Sequence, residues 1–218
     1  MIRNGKSEYV KLERRLVLLA WLNGHFGFDN NRDLLADTKE ASEGFDASGR
    51  SYVYHRLEGR GDKVRIPLAD LARYDDNIRE HLHTMNARRP EPIRFRYFQH
   101  LAVLYTEIFL DWYFHRRGEM LRSLNHFIEK RNAAKTAGDT KDAKFSESDL
   151  KKLAFWMATG SGKTLIMHIS ILISCIFIFL DISTLLLYPD SAFLRGLRLG
   201  EVIASTGFLE KYLPNSYR

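Results

Sequence analysis

The chain contains a single cysteine, Cys175, among 218 residues. An internal disulfide is therefore excluded, and the usage suits a reducing cytoplasm. Cys175 lies in an apolar run, away from any group that would activate a thiol nucleophile. No Gly-x-Ser-x-Gly elbow occurs, so the signature of a serine hydrolase is missing. The opening residues, MIRNGKSEYVKLERR, lack the apolar core of a signal peptide. Charge becomes scarce toward the C-terminus: residues 165–218 carry 8 ionised side chains, against 52 in the first 164. No internal repeat is evident.

What is present begins with a mild basic excess, 33 Lys and Arg against 27 Asp and Glu, for a net charge of +6. That balance is compatible with a phosphate-backbone partner, although a solvated surface has the same composition. The pairs Arg14-Arg15, Arg88-Arg89, Arg116-Arg117 and Lys151-Lys152 are scattered and do not form a stripe. His81 and His83 are two apart on an expected helix, so they point to different faces and cannot share a metal. His25, His55, His100, His115 and His126 have no ligand partner at metal-binding spacing. The adjacent carboxylates Asp75 and Asp76 read as a solvated helix face.

Apolar periodicity organises the first two thirds of the chain. Helical spacing covers residues 8–23, and a second helix is expected over 32–42. Residues 51–57, SYVYHRL, alternate as a strand does. Pro67 opens a helix that places Leu68, Leu71, Ile78, Leu82 and Met85 on one stripe, and Pro90 and Pro92 end it. Helices follow over about 95–116 and 119–132, separated by Gly118. Residues 133–149 carry little to bury and read as an exposed linker, with Ser148-Asp149 capping a short helix. The aromatic residues over 97–114 could stack on bases, but a helical core stripe is the simpler account.

Residues 153–164, LAFWMATGSGKT, carry the chemistry. A short apolar run, as in a covered strand, enters a glycine-rich turn, and an apolar helix follows. Gly160 and Gly162 permit backbone angles that a Cβ would forbid, so successive N–H groups converge on one anion. The positive end of the next helix adds to that site. In this pattern Thr159, Gly160, Ser161 and Gly162 cradle phosphates, Lys163 reaches the β- and γ-phosphate oxygens, and Thr164 ligates Mg²⁺. ATP and Mg²⁺ are thus the expected ligands.

The general phosphate-loop pattern has a glycine six residues before the lysine, where this chain has Met157. The form Ala158-Thr159-Gly160-Ser161-Gly162-Lys163-Thr164 instead resembles motif I of superfamily 2 helicases. Residues 93–114, IRFRYFQHLAVLYTEIFLDWYF, resemble the segment preceding motif I in DEAD/DEAH-type helicases related to the Res subunits of type III restriction enzymes. In that superfamily a glutamine in an Arg-Tyr-x-Gln setting reads the adenine edge, and Gln99 in Arg96-Tyr97-Phe98-Gln99 matches it. The resemblance covers about 95–169 and, less specifically, 51–92. It implies ATP-dependent translocation on double-stranded DNA in restriction of foreign DNA, in the cytoplasm, with a modification methyltransferase as a possible partner subunit.

The fold expected is therefore α/β: a mainly helical N-terminal domain over 1–132, a linker over 133–149, and over 150–218 the start of a RecA-like domain with an incomplete parallel sheet. The tail diverges from the family after about 170. Residues 165–188 read in three ways: a buried helix entering a parallel strand at 184–188, a membrane segment that is too short, or a scrambled end. Tyr188-Pro189 stands where the family's motif Ia has Thr-Pro. Hydrolysis by such a motor needs an Asp-Glu pair for Mg²⁺ and water, and no Asp-Glu dipeptide follows the loop. A second lobe, an arginine finger and the nuclease domain are also not found. The chain reads as the N-terminal portion of a motor that binds Mg-ATP without turning it over. A non-catalytic interaction module and a gene remnant are the alternatives.

Overall fold

The computed structural model describes residues 16–136, 139–155 and 157–187, with side chains up to residue 178. The chain divides into two compact units after Ser174. Among the described residues the α-helices are α1 (Val17–His25), α2 (Asn31–Thr38), α3 (Tyr52–Glu58), α4 (Leu68–Asn86), α5 (Tyr97–His115), α6 (Arg117–Ala133) and α7 (Lys163–Leu187). The first unit holds α1 to α6 and the start of α7. The second begins at Cys175, within α7.

The expected α/β architecture is overturned. The described residues contain no strand and no sheet, and their β features reduce to one isolated bridge between Phe45 and Ser51. They are all-α. Residues 51–57 alternate in sequence, but the Ser51 hydroxyl accepts from the Tyr54 N–H and caps α3. Capping by serine turns the run into a helix whose Val53, Tyr54 and Leu57 are buried. Residues 153–155 and 157 are irregular, with Ala154 and Phe155 exposed. With no neighbouring strand to pair with, an extended run gains nothing over hydration of its peptide groups. Over 184–187 the chain is still helical within α7, while Tyr188 lies outside the described residues. A continuous apolar run fits either state, and a helix needs no partner for its hydrogen bonds.

Helix α5 occupies the centre. Every residue from Val103 to Asp111 is buried, so this stretch has no solvent face. Helix α4 brings Leu71, Tyr74, Ile78 and Leu82 into the core, and α6 brings Met120, Leu124 and Ile128 at i, i+4, i+8. Full burial of that α6 stripe is worth roughly 5–9 kcal/mol before the entropy of ordering the helix. In the first unit α7 buries Ile166, Ile169 and Ile173, a helical stripe, and leaves Met167 and Ile171 exposed. No helix among the described residues is long and apolar enough to cross a membrane.

The segment after α6 is pinned in place. Asn132 donates from Nδ2 to the Asp142 carbonyl and accepts the Asp142 N–H (2.9 and 2.8 Å). Asn125 does the same with Phe145 (3.0 and 2.8 Å). Asp142 also pairs with Arg131 and Lys135, and Lys144 with Glu129. The chain thus doubles back along α6 toward the short 3-10 turn Asp149–Lys151, which buries Leu150. Asn86 makes the same two-bond clasp with Ile93 between α4 and α5.

At the C-terminal end of α1, His25 lies edge-on to Trp21 and beside Trp112, with ring centroids 4.4 and 5.5 Å away. Its buried Nε2 has no hydrogen-bond partner. Burial, with Arg65 and Arg116 adding repulsion, lowers the pKa of His25 to about 4 from an ordinary 6.5. The unfolded chain then takes up a proton near pH 6.5, whereas the folded chain resists until about pH 4. Stability is expected to fall across that window by about 2–3 kcal/mol from this residue. Urea unfolding at pH 7 and pH 4.5 checks this, and His25→Leu should show a smaller loss between the two.

Candidate functional site

The glycine-rich loop adopts the conformation that its sequence requires. Gly160 and Gly162 have φ of 77° and 86°, in the left-handed region that side chains disfavour. Helix α7 begins at once, at Lys163. The first-turn N–H groups of a helix have no intrahelical acceptor and carry its positive dipole end, so they face an anion favourably. Thr159, Gly160, Lys163 and Thr164 are exposed, while Ser161 and Gly162 are half-buried. A Cβ at Gly160 would meet nothing within 4 Å, which leaves open space over that side of the loop.

Internal hydrogen bonds hold the curl. The Ser161 hydroxyl donates to the Ala158 carbonyl (2.6 Å), and its backbone N–H points to the same oxygen (3.3 Å). Lys163 Nζ donates to the carbonyls of Met157 and Ala158, both at 2.9 Å, which places the ammonium against the loop's own backbone. Gln99, at the start of α5, joins the loop across 62 positions of sequence: its Nε2 donates to the Ser161 carbonyl at 3.0 Å. All seven residues singled out by sequence, Gln99 and 159–164, are therefore brought together. The donor set suits a polyphosphate with Mg²⁺: a cation, a hydroxyl, two left-handed glycines and a helix N-terminus.

Other constellations were not visible in the sequence. Asp75 is 1% exposed, not solvated as its place beside Asp76 indicates. Its Oδ1 accepts from the Ser51 hydroxyl (2.6 Å), and its Oδ2 accepts from the Ser51 N–H (2.9 Å). His100 Nε2 lies 3.2 Å from both Ser51 Oγ and Asp75 Oδ1. Burial pushes the Asp75 carboxyl up, but His100 and Ser51 outweigh it and hold it below its usual range. These are the side chains of a hydrolytic triad, yet all three are buried, and the Ser51 hydroxyl donates to Asp75 while it accepts from the Tyr54 N–H. The cluster is a core clamp joining α3, α4 and α5. The spacing of 51, 75 and 100 gives no sequence signal for it.

A second clamp is built from Glu107, which accepts from Asn77 Nδ2 (2.9 Å) and lies 2.7 Å from His81 Nε2. His83, two residues on, is exposed, so the two histidines do diverge. Among the described residues no cluster of three or more His, Cys, Asp or Glu is placed to hold a metal ion. Two shallow clefts, lined by residues that include Asp37 and Arg60, contain no residue of 158–164. Arg60 there is committed to the carbonyls of Phe26 and Gly27 and to the face of Phe28.

Asp75→Ala would strand a buried histidine and a buried hydroxyl together. It is expected to destabilise the protein by about 3 kcal/mol, read by urea unfolding, with Asp76→Ala within about 0.5 kcal/mol of the parent.

Comparison with protein-family models, with curated proteins and with solved structures returns no match.

Proposed function

We propose that residues 158–164 bind the phosphates of Mg-ATP. The observation that carries this reading is the pair of left-handed glycines leading directly into the N-terminus of α7, with Lys163 and Thr164 exposed at its first turn. Lys163 is assigned to the β- and γ-phosphate oxygens and the Thr164 hydroxyl to Mg²⁺. Thr159, Gly160, Ser161 and Gly162 supply backbone donors. When bound, the metal neutralises charge on the phosphate oxygens. The chain's own part is to orient the triphosphate.

The wider role proposed is that of an ATP-dependent DNA helicase or translocase of the type III restriction kind. Double-stranded DNA is its partner, and a modification methyltransferase is a candidate partner subunit. Its support is the motif I resemblance, the Arg96-to-Gln99 segment and the basic excess. The single cysteine fits a cytoplasmic setting. No Asp-Glu pair follows the loop, so the chain is proposed to bind nucleotide without hydrolysing it alone. The self-contained packing around α5 favours a second reading, a non-catalytic module that docks a partner through its helical part. A partner complex that forms equally with and without ATP, and survives Lys163→Ala, would support it.

Titration with Mg-ATP, followed by calorimetry, should show binding that weakens at least tenfold in Lys163→Ala. Thr164→Ala should retain binding in EDTA and lose the gain that Mg²⁺ brings. ATP turnover, with or without double-stranded DNA, is expected to be absent. Unaltered affinity in Lys163→Ala would refute the site, and Lys163-dependent hydrolysis would refute the assignment as a binder alone.

A further inference from the structure

We propose that Gln99 is a positioning residue: its carboxamide fastens the phosphate loop to the N-terminus of α5 and so sets affinity for a polyphosphate whatever base it carries. This rests on the phosphate-site reading above. Both polar atoms of the side chain are engaged by backbone. Nε2 donates to the Ser161 carbonyl at 3.0 Å, and Oε1 accepts the Arg96 N–H at 3.0 Å. The two bonds fix the plane of the carboxamide, so the N–H and lone pair left over point where the backbone sets them.

The glycine beside it supplies an independent observation. A Cβ built on Gly162 would fall 2.5 Å from Gln99 Nε2, closer than real Cβ atoms come to any neighbour. The amide therefore lies against the bare Cα of Gly162, in space that any other residue would fill. Gly160 has the same left-handed backbone but nothing within 4 Å. Gly160 is thus required for its φ alone, and Gly162 for its φ and for the seat of Gln99. The tether also ends in a rigid anchor: the next residue, His100, is buried in the clamp with Ser51 and Asp75. The loop's own Ser161 and Lys163 bonds curl it, and Gln99 adds a link from that curl to the core.

Two variants separate the tether from the helix cap and from charge. Gln99→Glu keeps an acceptor for the Arg96 N–H and removes the donor to Ser161. Gln99→Met removes both without adding charge. In the full chain without ligand, hydrogen exchange of the peptide covering 157–165 is expected to quicken several-fold in both variants, with the α6 peptides unchanged. With Mg²⁺ present, tripolyphosphate, ATP and GTP are each expected to bind about fivefold more weakly to Gln99→Met, the equivalent of one lost hydrogen bond. The ATP to GTP ratio should stay fixed. Unchanged exchange of the loop in both variants would overturn the tether, as would a loss confined to ATP, which would make Gln99 a reader of the base. If the parent chain binds no tripolyphosphate, the phosphate site itself is wrong, and the exchange data alone then decide whether Gln99 holds the loop.

Discussion

Helix α5 takes two carboxylates into the interior, and their need for partners determines where α4 lies. Glu107 and Asp111 are 1% and 5% exposed. A buried carboxylate without hydrogen bonds would be among the most destabilising features a small domain could carry. Helix α4 answers both: Asn77 and His81 serve Glu107, while the Tyr74 hydroxyl donates to Asp111 at 2.6 Å. Arg116, Arg73 and His115 also face Asp111, and against the push of burial Tyr74 and these groups hold its carboxyl below the usual range. Apolar contact between the two helices would tolerate many crossing angles. Fixed acid-to-donor pairings tolerate few, and so they specify one arrangement.

The same constraint reaches the candidate site. Asp75, on α4, engages His100 near the start of α5, and Ser51 ties α3 to both. The first turn of α5 is thereby immobilised by groups that share the core. Gln99 leaves that turn and touches the loop. The order of dependence runs from buried charge, to helix position, to loop shape. The loop is exposed, but it is tied to a buried polar interior through Gln99.

Much of this was legible in the sequence, for identifiable reasons. The helices from Leu68 to Ala133 announce themselves through apolar stripes, Pro67 before α4, and Pro90 and Pro92 after it. The turn before α7 was legible because left-handed backbone demands glycine at 160 and 162. What failed was the inference from loop to sheet. The run Leu153 to Met157 is apolar enough for a strand, but strand formation depends on a neighbour far away in sequence, and none pairs with its described residues. Residues 51–57 failed in the opposite sense: a local alternation lost to a local cap at Ser51. Asp75 could not be recognised as buried, since its partners sit 24 and 25 positions away and no period connects them. The resemblance to a helicase family implied a fold that the described residues do not contain. Motif and architecture are therefore separate findings in this chain.

The paired asparagines have a consequence for length. Each carboxamide offers a donor and an acceptor side by side, as a peptide group does, so a helix can zip to a chain running past it. Asn125 and Asn132 stand seven residues apart on α6, a rise of about 10.5 Å. Their partners Phe145 and Asp142 stand three apart, and three residues of extended chain span about 10 Å. The two scales coincide at these points, like the marks on a vernier. One residue gained or lost between the two asparagines, or between their two partners, would let one clasp form only at the expense of the other. Although it forms no helix or strand, this stretch tolerates changes of side chain more readily than changes of count.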